Sequence, residues 1–304
     1  MRAPVLVTGS SGTIGRALCA GLAAAGVATR GLDLRATGAA YGDVCDAAAV
    51  ARAMAGCAGV VHLAAVSRVA WAERDPAGCQ RTNVEGTRVV VEAALQDAAR
   101  PWAIVASSRE VYGRAGVLPV SEDAPRRPCN AYGRSKRDAE DVLEAARARG
   151  LVGASLRFAS VYGGAGDHVD RVIPAMVRGA VWGERLRVAG ASRVFDFTHV
   201  DDVVAGVWAT MARLDAGDAA LPVVHLASGV GTSLAALARM ALAAAGRAEG
   251  EVEEIASEGH EVDHFVGDAA RARRVLGWSA RVPLAEGLAR MVQAAGAGDE
   301  SSVG

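Results

Sequence analysis

Tyr132 and Lys136 stand four residues apart in "YGRSK", a spacing that puts both side chains on one face of a helix. An ammonium beside a phenol favours the phenolate, so the pair is expected to bring the Tyr132 pKa down from ~10 towards a working range. Tyr132 would then serve as an acid/base. Y-x-x-x-K also fits an ordinary surface helix, so its meaning depends on what else reaches that helix. One partner is "SSREVYG", Ser107 to Gly113, which ends an apolar run and presents the Ser108 hydroxyl, the Arg109 guanidinium and the Glu110 carboxylate in succession.

A second constellation lies at the N-terminus. "GSSGTIG" spaces Gly9, Gly12 and Gly15 three apart, with Thr13 and Ile14 between the last two. Without side chains the backbone can approach a pyrophosphate, which the following helix N-terminus stabilises. Asp33 lies 18 residues after Gly15, placed to accept hydrogen bonds from both ribose hydroxyls of NAD and to repel the 2′-phosphate of NADP. NAD is the expected cofactor; Arg35, two residues on, can pair with a phosphate and soften that preference.

These groups need a scaffold that brings strand ends together. "VLVTG" reads as a short strand, and "TIGRALCAGLAAAG" as a helix with Ile14, Leu18 and Leu22 on one face. The alternation continues through "VATRGLD", "AAAVARAMAG", "GVVHLAA", a long helix around "VEGTRVVVEAALQDAA", "WAIVASS", a helix from Tyr132 to Arg149 and "VGASLRF". Strands and helices in this rhythm predict an α/β fold with a Rossmann-type doubly wound parallel sheet. After Phe158 the rhythm gives way to a glycine-rich loop, "SVYGGAGDHVD", and a helix, "RVIPAMVRGAVWG". The expected division is a NAD-binding domain over 1–164 plus ~196–229, and a smaller, discontinuous substrate domain over ~165–195 and ~230–290. A disordered tail is expected over ~293–304, where the residues are small and polar.

The 304 residues are 51% hydrophobic with a formal net charge of −1, enough for a large core and without the basic excess that nucleic acid or an anionic membrane calls for. Partners are therefore expected to be small molecules or a second copy of the chain. The cysteines at 19, 45, 57, 79 and 129 fall singly, with no spacing that closes a metal site. The N-terminus meets the glycine loop within nine residues, too soon for a signal peptide. A cytoplasmic location is expected.

Taken in order, "GSSGTIG", "GDVCD", "HLAA", "TNVEGT", "SSREVYG", "YGRSK", "LRFASVYG", "FDFTHVDDV" and "LGW" resemble the extended short-chain dehydrogenase/reductases, in their sugar-nucleotide epimerase/dehydratase branch. The resemblance covers nearly the whole chain. It implies that Asp43 and Val44 meet the adenine, that Leu63, Ala64 and Ala65 line the path of the pyrophosphate and ribose, and that Asn83 supports the active-site strand end. It further implies that Ser108 hydrogen-bonds the reacting hydroxyl alongside Tyr132, that Lys136 binds the nicotinamide ribose, and that Phe158 sits near the nicotinamide. The implied chemistry is hydride transfer from a sugar carbon, usually C4, with proton removal by Tyr132. A homodimer is implied by the resemblance alone.

The departures from the family's pattern are informative. An arginine usually precedes "DF"; this chain has Phe195. A second family arginine falls on Glu258, and the asparagine of "NVYG" is Ser160. Those positions usually help hold the substrate's phosphates, and each lost charge-assisted bond is worth roughly 1.5–3 kcal/mol. His168, Arg171 and Arg193 are the candidate replacement donors. In the 4,6-dehydratases an Asp and a Glu follow the catalytic hydroxyl residue; here the acid is Arg109, which cannot supply a proton as a carboxylic acid does.

Three readings of Arg109 and Glu110 follow: a structural ion pair, Glu110 as a second acid/base, or Arg109 as the receptor of a substrate carboxylate. If the strand continues through them, alternation puts Ser108 and Glu110 on one side and favours Glu110. The expected function is an NAD-dependent sugar 4-epimerase, acting on a nucleotide sugar through a transient 4-keto intermediate. The alternatives are a dehydrogenase of a free sugar or sugar acid, and a Glu110-assisted dehydratase or decarboxylase. A non-catalytic NAD-binding sensor has no need of Ser108, Tyr132 and Lys136 together.

Overall fold

The first apolar run buries every residue from Val5 to Thr8, as a strand covered by helices on both faces must. A computed structural model of the chain describes residues 3–164, 166–256 and 264–300. Its strands are β1 (Val5–Thr8), β2 (Thr29–Leu32), β3 (Gly59–His62), β4 (Trp102–Ser108), β5 (Gly153–Phe158), β6 (Ser160–Tyr162), β7 (Leu186–Ala189), β8 (Val194–His199), β9 (Val224–Leu226), β10 (Gly231–Ser233), β11 (Val252–Ile255) and β12 (His264–Phe265). The helices are α1 (Thr13–Ala24), α2 (Ala47–Met54), α3 (Val69–Arg74), α4 (Pro76–Gln80), α5 (Gly86–Gln96), α6 (Ala131–Ala148), α7 (Val172–Trp182), α8 (Val200–Asp215), α9 (Leu234–Ala244), α10 (Ala270–Leu276) and α11 (Leu284–Glu300).

The central sheet is parallel in the order β2-β1-β3-β4-β5-β9. The chain steps from β1 to β2 on one side and then returns to lay β3 on the other. That reversal makes the C-terminal ends of β1 and β3 the crevice where ligands bind in doubly wound sheets. Leu6, Val60, Ala103 and Val105 pack with Val90, Val91 and Leu143 on one face, and Val7, Val61, Ile104 and Leu156 with Leu18, Leu22, Val203 and Val207 on the other. The helices α5 and α6 cover the first face, and α1 and α8 the second. The doubly wound α/β expectation holds.

A second layer forms from later residues. There β8 pairs with β10, β12 and β6, and β7 pairs in parallel with β11. Phe195, Phe197, Phe265, Leu237 and Ile173 bury themselves in its core, together with Val111 and Tyr112 from the turn after β4. This core therefore begins where the first sheet ends, which brings the second layer over the strand termini.

Four details differ from the expectations. Ser160–Tyr162 forms β6 against Phe197–His199 rather than part of a loop. The boundary at ~196 falls inside β8. Trp278, just after α10, packs in the first core although it follows residue 230. Helix α11 runs on to Glu300, because Leu284, Leu288 and Met291 give it an apolar stripe, with Leu288 fully buried and the other two partly so; of the tail, residues 301–304 lie outside those described. No helix among the described residues is long and apolar enough to cross a membrane.

Candidate active site

Gly9 ends β1 with φ 70°, in the left-handed region that glycine alone enters freely. A Cβ there would lie 2.7 Å from the Ala64 backbone nitrogen, and one on Gly15 would strike the Gly9 carbonyl oxygen. The glycine turn thus presses against the Leu63–Ala64 backbone at the end of β3. Thr8 Oγ1 ties the two together, accepting from Ala64 N–H at 3.3 Å and bonding His62 Nδ1 at 2.7 Å. Gly12 donates to the Gly9 carbonyl at 3.0 Å and leads into α1. Gly9, Gly12 and Gly15 consequently meet Leu63 and Ala64 at one crevice, with Thr13 and Ile14 opening α1 beside it, Ile14 packed against the second face's core, and Ala65 following Ala64 in the chain.

Asp33 follows β2 directly and is buried. Its carboxylate accepts from Ser11 N–H at 3.0 Å and from Arg35 N–H at 2.7 Å, while Arg35 Nε lies 3.6 Å away. Each oxygen keeps a further lone pair, so the side chain is fixed beside the glycine turn with accepting capacity to spare. A side-chain-free cradle next to an oriented carboxylate fits a pyrophosphate and a ribose diol, and so fits NAD. Val44 packs under Gly86, where a Cβ would come within 2.8 Å of its Cγ2. Asp43 accepts from Cys45 N–H at 2.9 Å and faces Arg81 at 3.6 Å.

Asn83 sits in a π-turn between α4 and α5, a distortion often found at functional sites. Its Oδ1 accepts from Val66 N–H at 2.8 Å, and its Nδ2 donates to the Val66 carbonyl at 3.1 Å and to Ser135 Oγ at 2.8 Å. With the amide so occupied, Asn83 fastens the loop after β3 to α6 rather than presenting itself to a cofactor.

Helix α6 starts at Asn130, whose Oδ1 accepts from Gly133 N–H at 2.7 Å, as an N-cap does. Tyr132 and Lys136 follow on its inner face. Tyr132 is hydrogen-bonded to Ser108. Lys136 Nζ lies 5.9 Å from the centre of the Tyr132 ring and donates to the Ala106 carbonyl at 2.9 Å. Phe158 stands opposite Ser108 in register at the end of β5. Ser108, Tyr132, Lys136 and Phe158 are therefore gathered at the β4 and β5 ends.

The expectation that Lys136 lowers the Tyr132 pKa is corrected. Burial of the phenol oxygen pushes Tyr132 up to about 12; the Ser108 bond and Arg171 oppose this, and Glu110 adds to it. Although part of the ring is exposed, that oxygen is surrounded by protein. Burial also brings Lys136 down to about 8. Desolvation outweighs pairing because both groups leave water together.

Glu110 and Arg109 are placed by a turn. Strand β4 ends at Ser108, whose Oγ accepts from Glu110 N–H at 3.2 Å and opens a 3-10 turn over Arg109–Tyr112. Strand alternation therefore does not govern residues 109 and 110. Arg109 Nη2 pairs with Glu110 Oε1 at 3.0 Å, and Asn130 Nδ2 donates to Glu110 Oε2 at 2.8 Å. Both carboxylate oxygens are engaged. The Arg109 guanidinium lies over the Phe195 ring, 4.7 Å from its centre.

Of the replacement donors, Arg171 is near enough to influence Tyr132 and is paired with Asp167 at 3.0 Å. His168 meets Trp71 edge-on at 4.9 Å, and Arg68 clasps Asp170 with bonds of 2.6 and 2.8 Å. Those contacts draw the loop before α7 against α3. Ser160 lies on β6 and Arg193 at the Gly190 turn before β8, on the side of the second sheet. Glu258 lies outside the described residues.

A buried network behind the site was not foreseen. Arg157 on β5 holds Glu140 of α6 with two bonds, 2.8 and 2.7 Å, and Ser107 Oγ donates to the same carboxylate at 2.5 Å. Arg157 also donates to Tyr112 Oη at 2.6 Å, and that hydroxyl meets His225 Nε2 at 2.5 Å. Glu140 stands one turn beyond Lys136 on the same face. Its place four residues after Lys136, and an arginine inside the apolar "SLRF", were the available signals.

Three comparisons bear on this site. The model of a family described as "NAD dependent epimerase/dehydratase family" matches residues 5–225. A dTDP-glucose 4,6-dehydratase of Streptomyces griseus is 35% identical over 255 residues, 83% of this chain and 75% of that protein. A UDP-glucose 4-epimerase of Mycolicibacterium smegmatis is 32% identical over 238 residues, 77% of this chain and 74% of that one. Among solved structures, MoeE5 in complex with UDP-glucuronic acid and NAD superposes with a TM-score of 0.84 at 30% identity, covering 95% of this chain and 98% of that one.

Proposed function

The chain belongs to the NAD-dependent epimerase/dehydratase family, and from that premise we propose that it is a nucleotide-sugar 4-epimerase working through a transient 4-keto intermediate. It is an enzyme, NAD is its cofactor, and its class is that of nucleotide-sugar epimerases and 4,6-dehydratases. The observation that favours epimerisation is the engagement of both Glu110 oxygens by Arg109 and Asn130. An elimination needs a carboxylate free to take a proton beside the ketone, and an acid next to it.

NAD, when bound, takes up and returns the hydrogen and electron pair at the sugar carbon. The chain supplies everything else. Ser108 and Tyr132, already bonded to one another, hold the C4 hydroxyl between them. Because burial keeps the phenol protonated, Tyr132 must first give up its own proton, favoured by the positive charges of Lys136 and the nicotinamide, before its oxygen receives the hydroxyl proton and later returns it. Lys136, fixed to the Ala106 carbonyl, stands under that phenol and offers its remaining donors to the nicotinamide ribose. Gly9, Gly12 and Gly15 leave room for the pyrophosphate, and Asp33 orients the adenosine ribose. Phe158 closes the nicotinamide side. Arg171 and His168 serve the substrate from the loop before α7. A cytoplasmic homodimer is the accompanying reading, resting on the family's habit and on the five free cysteines.

The test is ¹H NMR of UDP- and dTDP-hexoses incubated with NAD-loaded enzyme in D2O. Inversion at C4 with no deuterium entering C5 is expected, and no 6-methyl signal. A 4-keto-6-deoxy product would make the chain a dehydratase and overturn the proposal. Tyr132→Phe should keep NAD binding while turnover falls by roughly 10²–10⁴-fold.

A further inference from the structure

Arg109 has a buried donor that none of the described residues uses. Its Nη2 is paired with Glu110, and its plane rests on Phe195. Yet Nη1 is buried and finds no hydrogen-bond partner among the described residues. A buried donor left unmade is costly, and a planar guanidinium held on two sides is already oriented for a further acceptor. The side chain is fixed with 18% of its surface still open, and Nη1 is an end of its fork that lacks an acceptor until a ligand settles against it.

Position narrows what that is. Arg109 follows Ser108 at the C-terminal end of β4, where ligands of such sheets bind. The bond between Ser108 and Tyr132 marks the place of the C4 hydroxyl, so the next residue reaches substituents on a carbon beside C4. Of the two neighbours, C3 carries a hydroxyl, whereas C5 carries the exocyclic carbon that oxidation converts to a carboxylate. The diphosphate leaves from C1, across the ring from C4. Phe195 adds an apolar wall, buried in the second core, against which a charge-assisted pair is shielded from water.

Resting on the nucleotide-sugar reading above, we propose that Arg109, braced by Glu110 and Phe195, receives a carboxylate on C5, and that the substrate is a nucleotide-linked hexuronate. Arg109 is then a specificity residue. It has no part in the proton transfers at C4.

The test measures binding without turnover, in the Tyr132→Phe background loaded with NAD, by isothermal titration with UDP-glucuronate and UDP-glucose and with the dTDP pair. The uronate is expected to bind roughly 10- to 100-fold more tightly than the neutral sugar, as one charge-assisted bond allows. Arg109→Met should collapse that ratio to near one. Because this substitution strands Glu110, the double variant Arg109→Met/Glu110→Gln is measured beside it, with NAD affinity and thermal melting as controls on folding, and should show the same collapse. A ratio near one before substitution refutes the proposal alone. So does a ratio that survives in the variants, including one where both sugars weaken together, since Arg109 would then serve the shared diphosphate. Failure to bind any of the four refutes the nucleotide-sugar reading and this proposal with it.

Discussion

Removing the charge of Glu140 should destabilise the protein more than removing the whole pair it belongs to. Glu140 and Arg157 are both almost fully buried, joined by two bonds of 2.8 and 2.7 Å. Arg157 and Ser107 hold the Glu140 carboxyl below its usual range in spite of burial. Glu140→Gln leaves a guanidinium inside with no compensating charge, and breaking a buried pair in this way costs about 3–5 kcal/mol. Ser107 loses its acceptor as well, but a glutamine carbonyl can replace that bond. Replacing the pair together, as Glu140→Gln/Arg157→Met, removes the stranded charge, and the loss should then shrink to about 1–3 kcal/mol. It comes from the bonds that Arg157 gives to the Tyr112 hydroxyl and the Glu122 carbonyl and from the contact of half-buried Arg126 with Glu140, since Tyr112 keeps His225 and Arg126 keeps Asp141. Urea unfolding at neutral pH, read through a double-mutant cycle with Arg157→Met, gives the coupling energy directly. Additive losses, or a Glu140→Gln variant within 1 kcal/mol of the parent, would refute the reasoning. Since Glu140 lies one turn beyond Lys136, the single variant should also lower kcat more than it raises KM.

Two further outcomes follow from the cofactor side. Asp33→Ser should narrow the preference for NAD over NADP by at least tenfold, because the carboxylate leaves while Arg35 remains; fluorescence titration with both nucleotides decides, and an unchanged ratio counts against the assignment. Lys136, held near pKa 8 by burial against ~10.4 unfolded, binds fewer protons folded than unfolded between those values. Its share of stability therefore rises with pH across that window, by on the order of 3 kcal/mol. Compared by denaturant unfolding at pH 7.5 and 10, the parent should gain stability relative to Lys136→Met as the pH rises. A constant difference would show that burial does not depress the lysine.

What was legible in the sequence was local. The glycine turn, Asp33, and the pairing of Tyr132 with Lys136 each depend on residues within a turn or one βα unit, and the structure assembles them as the spacing required. What was not legible depends on distance or on solvent. Glu140 and Arg157 belong to different elements and meet only once α6 lies on β5. The Tyr132 phenol has its lysine neighbour in plain view in the sequence, but the burial that outweighs that neighbour belongs to the fold. Strand β6, three residues long, is too short to carry a period and was hidden by the glycines after it.

The turn after Ser108 shows how one misread residue alters a chemical argument. Extending the strand past Ser108 would put Glu110 beside the hydroxyl as a spare base and send Arg109 away from it. But a serine that ends a strand can accept the N–H two residues on and bend the chain, and Ser108 does so. The bend turns Arg109 onto Glu110 and Phe195, converting a candidate base into the anchor of a cation. A dehydratase asks that carboxylate to titrate during each turnover. With Asn130 on one oxygen and Arg109 on the other, taking up a proton would break a charge-assisted bond at the moment the chemistry needs the group free. The arrangement suits a site where Glu110 anchors Arg109 and stays still, as the proposed 4-epimerase needs.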